Sequence, residues 1–374
     1  MNGIGKSMDK QKFDRDLICD YLARVRFDKE IRLFYRNRKV LVTGGAGAIG
    51  RNLVSVLSEL VGPDGRVIVL DNLSAIKGDS PWNLVSAQNI LFILGDIRRD
   101  ADVKRAFREK PDLVFHLAAF FANQNSIDYP EVAASVDVQG LIKVLDLSVF
   151  CGVDRFVYAS SGCAIYGSYP DLPVREEFIS MNMTSPYQIN KMAGEMYCNF
   201  YKHNYDLNTV NCRFFNSFGP GEVPGQYRNV IPNFIYWALA GKPLPISGDG
   251  NATRDFTYVL DLVQGLILAG HHAGGVGNNF NLASSRETRI QELADMINKL
   301  VNNTAGTVQV GRRQWDTKDR MWASTEKASE TLGYSPIIRL EEGLERTIEW
   351  FRYCSDEISL SVDFPPGMSA ALKD

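Results

Sequence analysis

The run Thr43-Gly44-Gly45-Ala46-Gly47-Ala48-Ile49-Gly50 constrains this chain more than any other segment. It follows the β-rich stretch Lys39–Thr43 and opens a helical run, Arg51–Leu60. Glycine is needed where a strand turns tightly into a helix and where a pyrophosphate must approach the main chain. The phosphates then meet the N-terminal amides of the helix. Asp71 stands 21 residues beyond Gly50, at the end of a second strand, Arg66–Leu70. A carboxylate there accepts hydrogen bonds from both ribose hydroxyls and repels a 2′-phosphate, which selects NAD over NADP. Any glycine triplet alone is a weak signal; strand, turn, helix, strand and acid in this order read as a dinucleotide site.

The pattern continues. Ile90–Leu94 is a third strand ending at Asp96, and Leu113–Leu117 and Arg155–Ala159 are the fourth and fifth. Asp102–Arg108 and Pro130–Phe150 read as helices between them. Strands that are apolar throughout and alternate with helices predict a parallel sheet covered on both faces. The fold class is therefore α/β, a Rossmann-type doubly wound parallel sheet with a smaller C-terminal α/β substrate domain. After about Arg213 the texture turns loop-rich, as in Gly219-Pro220-Gly221 and Gly248-Asp249-Gly250, with Ile290–Val301 and Leu340–Tyr353 as expected helices. This divides the chain into a helical extension at 1–38, an NAD-binding domain at 39–213, an interleaved substrate domain at 214–353 and a tail at 354–374. Ser355–Asp374 reads as loosely ordered.

Composition narrows the function. With 374 residues, two domains are expected. A formal charge of −3 gives no global argument for nucleic acid or an anionic membrane. There is no apolar run of membrane-spanning length, and Met1–Lys12 holds no apolar signal core. Six cysteines lie scattered without a CxxC pair, which fits reduced thiols and a cytoplasmic location. Four histidines, two of them the neighbours His271 and His272, make a His-rich metal centre unexpected, so no metal is assigned. The extension differs: eleven Lys/Arg against six Asp/Glu through Lys39 give a local +5. Phe13, Leu17, Ile18, Tyr21, Leu22 and Val25 fall at helical spacing, for a helix packed on the body or on a second subunit, or for a basic surface.

Tyr187 and Lys191, in Ser185-Pro186-Tyr187-Gln188-Ile189-Asn190-Lys191, are four apart in a helical run and share one face. A phenol with a pKa of about 10 is a poor base near neutrality, and a nearby ammonium favours the phenolate. Lowering it by about 3 units takes roughly 4 kcal/mol, within reach of two cations in a water-poor pocket.

These segments resemble the extended short-chain dehydrogenase/reductase family, in particular UDP-galactose 4-epimerase-like nucleotide-sugar epimerases and dehydratases. The glycine loop, Asp71-Asn72, Gly95-Asp96-Ile97, His116-Leu117-Ala118-Ala119 and Tyr187-x-x-x-Lys191 carry the resemblance. So do Arg213-Phe214-Phe215-Asn216, Gly248-Asp249-Gly250, Arg254-Asp255-Phe256 and Leu332-Gly333-Tyr334, over about residues 39–352. It implies an NAD site at Gly44, Gly47, Ala48, Ile49, Gly50, Asp71, Asn72, Asp96, Ile97, Leu117, Ala118 and Ala119, with Lys191 holding the nicotinamide ribose. Asp96 could instead be a strand-end cap. Tyr187, Lys191 and Ser161 are the expected catalytic residues, Cys163 a possible proton shuttle or a small buried residue. Asn216, Arg254 and Asp316 join Ser161 and Tyr187 on the nucleotide-sugar substrate. Arg254 would clamp the diphosphate, or instead pair with Asp255 or Asp261. Arg320 resembles the late segment that reaches the nucleotide, and Val230–Phe234 would line the base pocket.

Two departures stand out. Relatives carry Ser or Thr at the place of Gly162, so Ser161, with Ser160 behind it, becomes the hydroxyl donor. Relatives carry Asn at the place of Asp137. The family's 4,6-dehydratases have Asp-Glu where this chain has Cys163-Ala164, and its decarboxylases have Glu at Ala164, so both activities are disfavoured. The expected activity is NAD-dependent 4-epimerisation of a nucleotide diphosphate sugar. Alternatives are a 3,5-epimerase using Cys163, a 4-dehydrogenase, and an NAD-binding sensor without turnover. The resemblance also implies a homodimer built through Pro130–Phe150 and Pro186–His203.

Overall fold

A computed structural model describes residues 2–25, 27–75, 82–167, 171–312, 316 and 318–362, with side chains from Lys12 onward. Seven strands form one parallel sheet: β1 (Lys39–Thr43), β2 (Arg66–Asp71), β3 (Ile90–Leu94), β4 (Leu113–His116), β5 (Arg155–Ser161), β6 (Thr209–Phe214) and β7 (Asn279–Leu282). Their spatial order is β7-β6-β5-β4-β1-β2-β3. All strands run parallel; the order in which successive strands are added reverses between β1 and β4, and ligands of such sheets bind at that switch point. Successive strand residues face opposite layers: Val40 and Val42 join one buried cluster, Leu41 the other. Helices cover both faces, as all-apolar strands require. The sheet's last strand comes from the loop-rich half of the chain, so the two halves interleave.

Helix α1 (Asn2–Val25) lies on the body. Ile18 and Tyr21 are buried, and the Tyr21 hydroxyl donates to Asp261 at 2.7 Å. Asp14 of α1 pairs with Arg51 on α2 (Ala48–Val61), the helix that the glycine loop opens. The packing reading of the extension therefore holds in this structure. Among the described residues, no helix is long and apolar enough to cross a membrane.

Two expectations need correction. Pro130–Phe150 is not one regular helix: Ser135–Gly140 widens into a π-helical turn between two α-helical segments. The extra residue in that turn turns Asp137 inward, where it accepts the Phe120 amide at 2.7 Å. The tail is not loose from its start. Ser355–Ser361 is helical because Ile358 is buried and the Ser361 hydroxyl accepts from the Trp82 indole at 2.9 Å. Residues 363–374 lie outside the described residues.

Candidate active site

A cleft of about 890 Å³ opens at the C-terminal ends of the strands, between the sheet and the loop-rich half. Every residue assigned above to cofactor or substrate lines it, apart from Pro232 of the Val230–Phe234 stretch. Its shape fits a dinucleotide on one side. A side-chain carbon at Gly44, whose φ is +73°, would come within 2.6 Å of the Ala118 amide, and one at Gly50 would overlap the Gly44 carbonyl. Glycine there leaves a bare backbone cradle at the start of α2. Asp71 is fixed beside it by the Ala46 amide at 2.9 Å and the Leu73 amide at 2.7 Å. Burial pushes its carboxyl up, against those two amides. Each oxygen retains acceptor capacity for a ribose hydroxyl. Asp96 is already held by Arg98, at 3.0 and 2.7 Å, and by Asn72 at 3.1 Å. Those bonds, chiefly from Arg98, pull it down to about 2. Arg98 also lines the cleft and carries no sequence signal of its own.

The helix α3 (Pro186–Tyr205) presents Tyr187 and Lys191. Ser185 caps it by accepting the Gln188 amide, and proline supplies its first turn. The Ser126 hydroxyl accepts the Tyr187 amide at 3.0 Å, which fixes the start of the helix over β5. Lys191 is buried, donates to the Ala159 carbonyl at 2.7 Å and sits 5.7 Å from the Tyr187 ring centre. Ser161, at the end of β5, lines the cleft beside Tyr187 and draws its phenol down, against burial. Tyr187, Ser161 and Lys191 are thus gathered at one point of the cleft. Electrostatics differ from the expectation. Burial first, then Asp137, pushes the Tyr187 phenol above its ordinary value, with only Ser161 opposing them. The ammonium of Lys191 is itself pushed down by burial, against Asp137. In the chain alone burial thus favours the neutral phenol.

Gly162 has a steric reason. A side chain there would overlap the Phe215 ring. The Ser160 hydroxyl is already engaged: it donates to Glu195 at 2.5 Å, which pairs at 2.8 Å with the fully buried Arg213. The thiol of Cys163 lines the cleft, and burial pushes it up despite Lys318 and the Asn216 amide.

On the substrate side, Arg254 pairs with Asp316 at 2.7 Å, not with Asp255 or Asp261. Asp255 instead accepts the Ser284 hydroxyl and amide, and Asp261 accepts Tyr21 and the Ile337 and Ile338 amides. Asn216 donates to the Asp255 carbonyl at 2.9 Å. Arg320 pairs with Glu287 at 2.6 Å on the rim. The stretch Val230–Phe234 lies in the helix Val230–Leu239 and contributes four residues to the lining. Sequence reasoning missed Glu222, a buried cleft acid pushed up to about 7 by burial, and Lys318. Both are single charges in loops, with no periodic partner to mark them.

Comparison with known proteins places this site in context. The model of the NAD dependent epimerase/dehydratase family matches residues 40–283. The chain is 35% identical to a UDP-glucose 4-epimerase of Mycolicibacterium smegmatis, over 84% of this chain and 98% of that one. Its structure superposes on epimerase Mth375 of Methanothermobacter thermautotrophicus with a TM-score of 0.86 at 48% identity, covering 90% and 98% of the two chains. It superposes on the Bordetella bronchiseptica enzyme WbmF in complex with NAD+ with a TM-score of 0.74 at 34% identity, covering 87% and 96%.

Proposed function

This chain belongs to the NAD-dependent epimerase/dehydratase family, and on that premise we propose that it inverts C4 of a nucleotide diphosphate sugar. One observation carries the reading: Tyr187, Ser161 and Lys191 converge in a cleft whose other half is a dinucleotide cradle. No carboxylate stands at 163 or 164, where elimination or decarboxylation would use one. Bound NAD supplies a hydride acceptor and, after the sugar turns, a hydride donor. Tyr187 takes the proton of the C4 hydroxyl and returns it to the product alkoxide. Ser161 holds that hydroxyl in line with the phenol. Lys191 supplies positive charge beneath the phenol and anchors its helix to β5. The guanidinium of Arg254 offers two donors to a diphosphate once Asp316 yields or shares it.

The relative named for UDP-glucose supports uridine as the base. Cys163 does not favour the 3,5-epimerase reading, because a thiol raised by burial is a poor base. The six cysteines are free, which supports a cytoplasmic site of action. Ile189, Met196 and Phe200 stand 46–53% exposed along one side of α3, and this unpartnered apolar stripe supports a homodimer.

The test is Tyr187→Phe. It loses at least about 10³-fold in kcat for C4 inversion, combining general-base loss with loss of the hydroxyl contact. It still co-purifies with NAD, because no cradle residue changes. Full activity in this variant contradicts the mechanism.

A further inference from the structure

Residues 221–229 leave the loop-rich half of the chain and reach back to the dinucleotide half. Their root is fixed. The Pro220 carbonyl, just before them, accepts Asn52 of α2 at 2.8 Å, Val223 is buried in the main core, and the Asn229 side chain donates to Glu222 at 2.8 Å. Asn233, buried in the first turn of the helix Val230–Leu239, clasps Gly225 twice: its carbonyl oxygen accepts the Gly225 amide at 2.9 Å, and its side-chain amide donates to the Gly225 carbonyl at 3.2 Å. The Arg228 amide closes a turn on that same carbonyl at 3.1 Å. Tyr227 and Arg228 stand at the tip of this strap, and both line the cleft.

Each tip residue bonds the opposite bank. The Tyr227 hydroxyl donates to Asp128 at 2.8 Å, and the Arg228 guanidinium donates to the Ala75 carbonyl. Both anchors are firm. Asp128 ends the short helix Asn123–Asp128, its other oxygen accepts Gln124 at 2.9 Å, and Ser126 of the same helix accepts the Tyr187 amide. Ala75 follows the turn in which Asp71 and Asn72 accept the Leu73 and Ser74 amides. One anchor comes after β2 and the other after β4, the two neighbours of β1 in the sheet. The strap is therefore latched on either side of the strand whose end carries the glycine loop.

We propose that this strap gates the cofactor: NAD enters and leaves only when the Tyr227–Asp128 and Arg228–Ala75 bonds are both broken. The proposal rests on the dinucleotide reading of the cradle. A ligand beneath a latched strap leaves in proportion to the fraction of molecules with the strap open, so loss of each bond multiplies that fraction.

The protein is loaded with NADH and chased with excess NAD, and the decay of nicotinamide fluorescence gives the exit rate. Tyr227→Phe and Asp128→Ala each speed exit by about fivefold, the worth of one hydrogen bond. The two combined do no more than either, since they remove the same bond. Asp128→Asn keeps an oxygen acceptor and stays near the parent. Adding Arg228→Met to Tyr227→Phe raises the gain to about twentyfold. Arg175→Met breaks an exposed pair with Glu326 outside the cleft and leaves exit unchanged. An exit rate equal to the parent's in the Tyr227→Phe/Arg228→Met variant overturns the gate. So does equal acceleration by Arg175→Met, which would mean general loosening. Arg228 also faces the Glu222 carboxyl, and if Arg228→Met fails to fold, Tyr227→Phe and Asp128→Ala decide alone. A parent that binds no NADH overturns the dinucleotide reading and the gate with it.

Discussion

Asp137 is the residue whose chemistry the sequence flagged without explaining. This chain buries there a carboxylate that accepts the Phe120 amide and, at 3.3 Å, Asn190. Burial lifts it to about 6, against the pull of Lys191 and those two bonds. A folded pKa above the unfolded value of about 3.9 means that the fold favours the protonated acid. Its contribution to stability is complete below about pH 4 and is lost as pH climbs through about 6. Asp137→Asn keeps an acceptor for Phe120 and removes that loss. Denaturation midpoints of the variant should stay flatter than the parent's between about pH 4 and 7, and lie higher at pH 7. Because Asp137 also pushes the Tyr187 phenol up, the acid limb of the variant's pH–rate profile should move to lower pH. Superimposable stability curves and profiles would show that Asp137 stays ionised at no cost. The residues legible in the sequence are those with fixed spacing: the loop glycines, Asp71, Tyr187 and Lys191. Lys318 and Glu222 were illegible because their positions come from loops folded back across the cleft.

Among the elements, strands β1 to β5 were legible because their burial on both faces makes them apolar without a break. Strands β6 and β7 were not singled out. Asn211, Arg213, Asn279 and Asn281 interrupt them with polar groups that the fold pairs internally, as in the 2.8 Å bond from Asn211 to Asn279. The π-helical turn was invisible because its six residues keep a helical pattern of burial. The turn after β5 shows how a departure in one element is matched in another: Gly162 is small because Phe215, from the segment after β6, fills its side-chain space. Gly162→Ser adds a hydroxyl at the end of β5 and should cost about 1–3 kcal/mol of stability by overpacking. Combined with Phe215→Leu it should cost less than the two single changes summed, since one relieves the other. Chemical denaturation of the three variants measures this; simple additivity would separate Gly162 from Phe215.

The whole molecule adds a helical layer and an exposed stripe to the two-sided sheet. The α1 layer ties the chain's start to its later half through the buried Tyr21–Asp261 bond and through Arg24 with Glu342. Its basic residues are thus spent in part on the protein's own acids, which the sequence alone left open. The stripe on α3 belongs to the same helix that presents Tyr187 and Lys191, so docking two copies there would stiffen the catalytic helix from outside. A homodimer predicts that the protein sediments as two chains and that Met196→Glu shifts it to one, by burying an unpaired charge in the seam. Sedimentation of the parent as a single chain at micromolar concentration would dismiss the seam.

The central claim is that C4 is oxidised and then receives the same hydride on its other face. The direct measurement uses the NAD-loaded protein and a UDP-sugar carrying deuterium at C4, followed by NMR and by absorbance of the reduced nicotinamide. The account predicts a C4 epimer that retains the deuterium, with no net accumulation of reduced cofactor. Deuterium lost to solvent from the epimer, or a keto sugar accumulating with reduced cofactor, would contradict it.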